Sequence, residues 1–208
     1  MRSKVSKPTV AGLILAGGRN RRMGGVEKSR IAVGGAPLVH SIAMLLRSLF
    51  PEVILVSNQP ALHRDLAGRL VIVSDLYRQR GPLAGIQAGL NRTSAEAVFC
   101  VACDMPTLRR DLIEAQVEEF RGAMARGCQA LIPRLGDLIE PLHGIYLKEL
   151  EAMAREICAG PGDYSIRELL ARARTCYWEL EDVSGNRSAF FNLNTPKDLR
   201  VHLEESER

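Results

Sequence analysis

Two short stretches of this chain combine residue types that could do chemistry on phosphates. The first reads Leu13-Ile14-Leu15-Ala16-Gly17-Gly18-Arg19-Asn20-Arg21-Arg22-Met23-Gly24-Gly25-Val26-Glu27-Lys28-Ser29. Gly17 and Gly18 carry no side chains, so backbone N–H groups there can approach an anion closely and adopt positive φ. Arg19, Arg21, Arg22 and Lys28 surround them with positive charge. Many donors, little bulk and several cations suit a triphosphate. The second stretch ends an apolar run at Asp104, followed by Met105-Pro106. Pro106 pushes Met105 extended, so Asp104 is expected at the mouth of a strand and not inside a helix. Mg²⁺ takes oxygen ligands through one or two carboxylates plus phosphates, and Asp104 fits that description.

Spacing excludes two familiar phosphate loops. A Walker loop needs Gly directly before Lys-Ser, whereas Val26 and Glu27 separate Gly25 from Lys28. The dinucleotide fingerprint GxGxxG does not occur. The bland alternative is a solvated basic loop. An apolar run before the segment and the four glycines Gly17, Gly18, Gly24 and Gly25 within it count against that reading.

The elements that must hold these residues alternate along the chain. Residues 9–16 form a continuous apolar run, the pattern of a strand covered on both faces. Pro37 can open a helix, and Leu38, Ile42, Leu45, Leu46 and Leu49 recur at helical spacing. Strands are expected at 52–57, 70–74 and 97–103, with a helix from Gly81-Pro82 to about Leu90. Further on, the pattern predicts a helix at 111–121, a strand at 129–133, extended chain at 138–147 and a helix at 149–158. Asp163 or Ser165 can cap a helix through Arg172, with Glu168 placed as in a capping box. Residues 190–193 are expected to be the last strand, and Thr195, Pro196 and Asp198 to start a terminal helix. Trp178 is assigned to packing, since its neighbours alternate as in a strand. The implied fold is α/β and Rossmann-like, a mostly parallel sheet with helices on both faces. Residues 1–208 are read as one domain.

The four clearest strands end at the glycine loop, Asn58, Asp75 and Asp104. Ligands of open α/β sheets bind outside the carboxyl ends of the strands, so these four positions are candidates for one site. Asn and Asp are also common turn formers, which is the plainer reading of Asn58.

Bulk properties narrow the function. A net charge of +4 is too small to argue for nucleic acid, and aromatic residues at 5% leave few stacking platforms. No apolar run approaches the ~20 residues of a membrane span. Five cysteines, an odd number spread widely, are read as buried thiols in a reducing cytoplasm. Cys100 and Cys103 should point to opposite faces of a strand, which suits neither a shared metal nor a redox pair. The basic start followed by an apolar run mimics a short signal peptide, but cleavage near Gly17 would remove the glycine-rich segment. The chain is therefore expected in the cytoplasm.

Residues 15–28 resemble, with one residue more between Gly24 and Lys28, the signature of the molybdenum cofactor guanylyltransferase family, approximately LAGGxSxRMGxxK, within the Rossmann-like nucleotidyltransferases. Asn20 stands where Ser is usual. Further matches follow in order: Gly81-Pro82-Leu83-Ala84-Gly85, Cys103-Asp104-Met105-Pro106, Glu140-Pro141-Leu142, and Asn192-Leu193-Asn194-Thr195-Pro196-Lys197-Asp198-Leu199. The resemblance spans nearly the whole chain. It implies a fold of the nucleotide-diphospho-sugar transferase type and transfer of GMP from GTP to the phosphate of molybdopterin, with pyrophosphate released. By the same resemblance Leu15, Ala16 and Gly17 contact the nucleotide, Lys28 the phosphates, and Asp75 helps bind GTP; Gly18 is assigned to the nucleotide for its missing side chain, and Arg22, with Lys28, to charge developing on the leaving pyrophosphate. Asp104 holds Mg²⁺, and Asn194 faces the active site, near the metal or the pterin; Asn192, in the same motif, is a candidate for acceptor binding. His143, just after the Glu140-Pro141 motif, is a candidate to line the acceptor pocket or, equally, a satisfied strand residue. A family asparagine after the second strand aligns with Val56, and Asn58 lies two residues on. The Gly17-Gly18 pair favours guanine. Two other readings remain open: another phosphorylated acceptor, or a GTP-binding protein that delivers cofactor without turnover. Contact with other cofactor-biosynthesis proteins is implied only by the family.

Overall fold

Continuous apolar runs are stable only where both faces of a strand are covered, and the longest runs here obey that rule. A computed structural model describes residues 8–16, 32–33, 35–181, 184–193, 195, 198 and 200. All six residues of β1 (Val10–Leu15) and of β6 (Ala97–Ala102) are buried. Between them come a small antiparallel ribbon, β2 (Ala32–Val33) with β3 (Ala36–Pro37), then α1 (Leu38–Leu49), β4 (Val53–Val56), β5 (Val71–Val73) and α2 (Gly81–Arg92). After β6 follow α3 (Arg110–Ala125), β7 (Ala130–Leu135), β8 (Leu138–Ile139), β9 (His143–Leu147), α4 (Glu151–Ala159), α5 (Ile166–Arg172), β10 (Thr175–Glu179) and α6 (Ser184–Ala189).

The main sheet has the order β10-β7-β9-β6-β1-β4-β5, with β8 paired to β7. β1 runs parallel to β4 and β6, β4 to β5, and β10 to β7. Only β9 reverses within that order, antiparallel to both β6 and β7. Two reversals cancel, so β6 and β7 point the same way. The carboxyl ends of β1, β4, β5, β6, β7 and β10 therefore share one edge, and β9 begins there, His143 lying opposite Val101.

Alternation along the strands divides the core in two. Val10 and Ile14 of β1 join Leu38 and Ile42 of α1, Phe99 of β6 and Phe120 of α3. Ala11, Leu13 and Leu15 face the other way, onto Leu83 and Ile86 of α2 and Leu169 of α5. Helices thus cover both faces, as the alternating pattern predicts. Two glycines let α2 lie close to β1. A Cβ at Gly89 would sit 2.5 Å from the Cδ atoms of Leu13, and one at Gly85 would sit 2.9 Å from Leu15 Cδ2. The last glycine of the Gly81–Gly85 motif is thus a packing requirement.

Element positions follow the sequence reading closely up to α5. Ser165 caps α5, its Oγ accepting from the Glu168 N–H at 3.3 Å. Glu168 does not reciprocate: the Ser165 N–H donates to Asp163 Oδ1 at 2.8 Å, and the Glu168 carboxylate accepts from Arg172 Nε at 2.6 Å. Thr195 and Asp198 form the reciprocal pair expected at a helix start, Asp198 N–H donating to Thr195 Oγ1 at 3.2 Å and Thr195 N–H to Asp198 Oδ2 at 2.7 Å. The strand expected at 190–193 is absent: that segment is irregular. Phe190 and Leu193 are buried, as a strand would have them, but they plug the core without pairing to the sheet. The last strand is β10 instead, where Trp178 packs against the core as expected.

Cys100 and Cys103 point into opposite clusters, as their spacing requires. They and Cys158 are buried and outside any disulfide. The other two cysteines correct the reading of five thiols: Cys128 and Cys176 form a disulfide, with Cα atoms 5.8 Å apart. The parallel pairing of β10 with β7 brings together residues 48 apart in sequence, which no local pattern reveals. A closed loop of that length restricts the unfolded chain by ~2–4 kcal/mol. Reduction, or serine at both positions, should lower the thermal midpoint by roughly 5–15 °C, read by calorimetry with and without reductant. An unchanged midpoint on reduction would exclude the bond from the protein's stability.

Candidate active site

The chain leaving β1 is held from both sides at the carboxyl edge. Ala16 N–H donates to the Val56 carbonyl at 2.9 Å, and Cys103 N–H donates to the Leu15 carbonyl at 3.1 Å. Leu15 and Ala16 are both buried, so what they can offer a ligand is backbone. Gly17, Gly18, Arg22 and Lys28, of the glycine-rich segment with its cations, lie outside the described residues, as does Asn194.

Two strands along, Asn58 and Asp75 meet. Asn58 Nδ2 donates to Asp75 Oδ2 at 2.7 Å, and below them Ser74 Oγ donates to the Ser57 carbonyl at 3.0 Å. Asp75 Oδ1 is buried and accepts no hydrogen bond among the described residues. Asn58 is thus a positioner of the carboxylate that follows β5, whatever else it touches. A carboxylate fixed by one oxygen and vacant at the other can accept adjacent N–H donors.

On the far side of β1, Asp104 follows β6 and is half-buried. Its backbone is fixed from the C-terminal segment, Leu193 N–H donating to the Asp104 carbonyl at 2.8 Å. That bond brings Asn192 to the same edge, where its Nδ2 donates to the Phe190 carbonyl at 3.1 Å. Among the described residues no cluster of three His, Cys, Asp or Glu could hold a metal by itself. Asp104 supplies a single hard oxygen ligand at the edge, which fits Mg²⁺ if phosphates and water complete its shell.

His143 sits inside the core. Its ring contacts Phe99 and Phe190 edge-on, both at 4.9 Å. Nδ1 lies 2.9 Å from Gln116 Oε1, while Gln116 Nε2 donates back to the His143 carbonyl at 2.8 Å. Burial depresses its pKa to about 4, so the ring is neutral near pH 7 and Nδ1 carries the proton toward Gln116. Fully buried, it presents no surface to an acceptor. It packs β9, α3 and Phe190 together, with Nδ1 partnered and Nε2 buried without a partner among the described residues.

Glu140 stands in the sequence analysis only within the Glu140-Pro141-Leu142 match, with no role of its own. It lies between β8 and β9, at the carboxyl edge, its N–H donating to the Pro133 carbonyl of β7 at 3.0 Å and its carbonyl accepting from His143 N–H at 3.0 Å. The side chain is half-buried, and burial alone raises its pKa to about 7. The available signal was a charged residue between Ile139 and Pro141 inside otherwise apolar extended chain. Between its usual value near 4.5 and about 7, the folded state holds a proton that the unfolded state has lost. Stability therefore falls as pH rises through that window and is level above it. Allowing for the water that still reaches the group, Glu140→Gln should raise the thermal midpoint by about 2–4 °C at pH 8 and leave it unchanged near pH 4. An equal gain at both pH values would sink this account.

The chain is similar to known proteins over most of its length. The family model for the MobA-like NTP transferase domain matches residues 12–176. A molybdenum cofactor guanylyltransferase of Syntrophotalea carbinolica is 37% identical over 190 residues, covering 90% of this chain and 87% of that protein. A protein of Peptoclostridium acidaminophilum, named a probable molybdenum cofactor guanylyltransferase, is 34% identical over 197 residues, covering 92% and 87%. Among solved structures, molybdopterin-guanine dinucleotide biosynthesis protein A from Archaeoglobus fulgidus superposes with a TM-score of 0.78 at 28% identity, covering 96% of this chain and 99% of that one. The chain belongs to the MobA-like NTP transferase family, among the molybdenum cofactor guanylyltransferases.

Proposed function

We propose that this protein transfers GMP from GTP to the terminal phosphate of a molybdopterin-type cofactor, forming the guanine dinucleotide and releasing pyrophosphate. The observation that carries this reading is the convergence of Leu15-Ala16, Asn58–Asp75, Asp104 and Asn192 on one sheet edge in a chain of this family. An acceptor phosphate oxygen attacks the α-phosphorus of GTP as the bond to the β-phosphate oxygen breaks. The nucleophile is already anionic near neutral pH, its second pKa being about 6, so no general base is required. The obstacle is repulsion between two anions, and catalysis reduces to positioning and charge neutralisation.

Each residue has a part in that scheme. Gly17 and Gly18 offer backbone N–H groups to the triphosphate, and Lys28 and Arg22 neutralise charge developing on the leaving pyrophosphate. Asp75, oriented by Asn58, accepts the N1–H and 2-amino hydrogens of guanine. Asn192 and Asn194 face the acceptor. Asp104 would hold Mg²⁺, which when bound supplies charge neutralisation to the phosphates.

The decisive experiment incubates the protein with each of the four nucleoside triphosphates, Mg²⁺ and molybdopterin, and measures pyrophosphate. Release with GTP and molybdopterin alone is expected. Release only with a different phosphorylated acceptor, or tight GTP binding without release, would replace this reading with one of the other two.

A further inference from the structure

Two carboxyl groups stand at the carboxyl edge with acceptor capacity unused, and they stand far apart. Asp75 follows β5 at one end of the sheet, and its Oδ1 is buried without a partner among the described residues. Glu140 is tied by its backbone to β7 and lies at the start of β9. From β5 to β9 the sheet crosses four strand spacings, roughly 19 Å. Asp104, after β6, lies between them. The sheet edge thus carries one underused carboxyl on each side of the proposed reaction centre.

Glu140 has no evident structural purpose. Among the described residues no ion pair includes it, and burial alone, with no hydrogen bond, displaces its titration. A half-buried carboxyl without a donor costs stability in the free protein, and such groups gather where a ligand supplies the missing bonds. Two adjacent N–H donors are its geometric complement.

Guanine presents such a pair at N1–H and the 2-amino group. A pterin presents the same 2-amino-4-oxo-pyrimidine edge at N3–H and its 2-amino group. The proposed product therefore has one hydrogen-bonding face repeated at its two ends, and the sheet edge has one spare carboxyl for each. We propose that Glu140 recognises the pterin ring of the acceptor, its carboxylate accepting the N3–H and 2-amino hydrogens as Asp75 accepts those of guanine. This rests on the guanylyltransferase reading and deepens it: the acceptor is selected by its heterocycle as well as its phosphate. Glu140 is a specificity residue and takes no part in bond making.

The test compares 6-hydroxymethylpterin with its 2-oxo counterpart, a lumazine, in which a carbonyl oxygen replaces the 2-amino donor and faces the carboxylate. Direct binding to the full chain is measured by calorimetry. Wild type should bind the pterin at least ~10-fold more tightly, the scale of one charged hydrogen bond. Glu140→Gln should erase that preference and raise KM for molybdopterin ~10-fold while KM for GTP stays within twofold, which also reports intact folding. Glu140→Asp should restore part of the preference. Equal binding of the two rings by wild type, binding of neither, or an undiminished preference in Glu140→Gln would overturn the assignment. Pyrophosphate release with molybdopterin but without ring preference removes only this inference. Ring preference without pyrophosphate release removes the reaction and leaves Glu140's role standing.

Discussion

Alanine at position 104 is expected to lower kcat a hundredfold or more with folding intact. The magnitude is that of losing one preorganised electrostatic group at a reacting centre, ~10²–10³ in rate. The residue's position explains why folding should survive. Asp104 is held through its backbone carbonyl by Leu193 and by the neighbouring Cys103 N–H bond to Leu15, so the strand mouth keeps its shape without the carboxylate. Asp104→Asn is the sharper variant, since it keeps size and one acceptor but removes the charge a hard cation needs. Both variants should bind GTP within a few-fold of wild type in the absence of Mg²⁺ and lose the stimulation by added Mg²⁺. Single-turnover rates with GTP and molybdopterin, measured across a Mg²⁺ titration, decide it. A near-wild-type rate in either variant would remove Asp104 from the chemistry.

Lys28→Ala should lower turnover on the same scale for a different reason. Transfer at the α-phosphorus builds charge on the bridging oxygen as pyrophosphate departs, and a point charge placed there acts more strongly in the transition state than in bound GTP. The loss should therefore appear mainly in kcat. Inhibition by added pyrophosphate should weaken together with the rate. Lys28→Arg should recover only part, because a planar guanidinium does not occupy the place of a compact ammonium. A variant with raised KM for GTP and unchanged kcat would reassign Lys28 to ground-state binding.

The place of Asp104 at a strand mouth is legible from its local surroundings, whereas Lys28 lies outside the described residues. The apolar run into Gly17 and the run into Asp104 each specify a buried strand, and a polar group at the end of a buried strand has nowhere to go but the ligand edge. The Asn58–Asp75 pair was half legible. Each was visible as a strand end, but their 2.7 Å bond depends on β4 and β5 being neighbours in parallel register. Residues 190–193 were misread because burial was mistaken for pairing. Apolar side chains satisfy the hydrophobic requirement equally well in a strand or as a plug, and only contact with Asp104 and His143 distinguishes the two.

His143 and Glu140 show the same limit within one motif. Three residues apart, one enters a closed core against Phe99, Phe190 and Gln116, and the other stays half-buried at the sheet edge. Nothing in the local spelling separates a histidine that packs from a glutamate left in want of donors. The Cys128–Cys176 bond is a third case, created by pairing β10 with β7.

Element order, the two-faced burial of the strands and the α5 cap were all written in short windows of residues. Periodicity, capping and backbone freedom act over one or two turns of chain, so a short window suffices to read them. Which distant groups meet, and which carboxyl keeps a vacant oxygen, was settled by strand order and by the reversal of β9. Those follow from how the whole core closes, a property that no window of sequence contains.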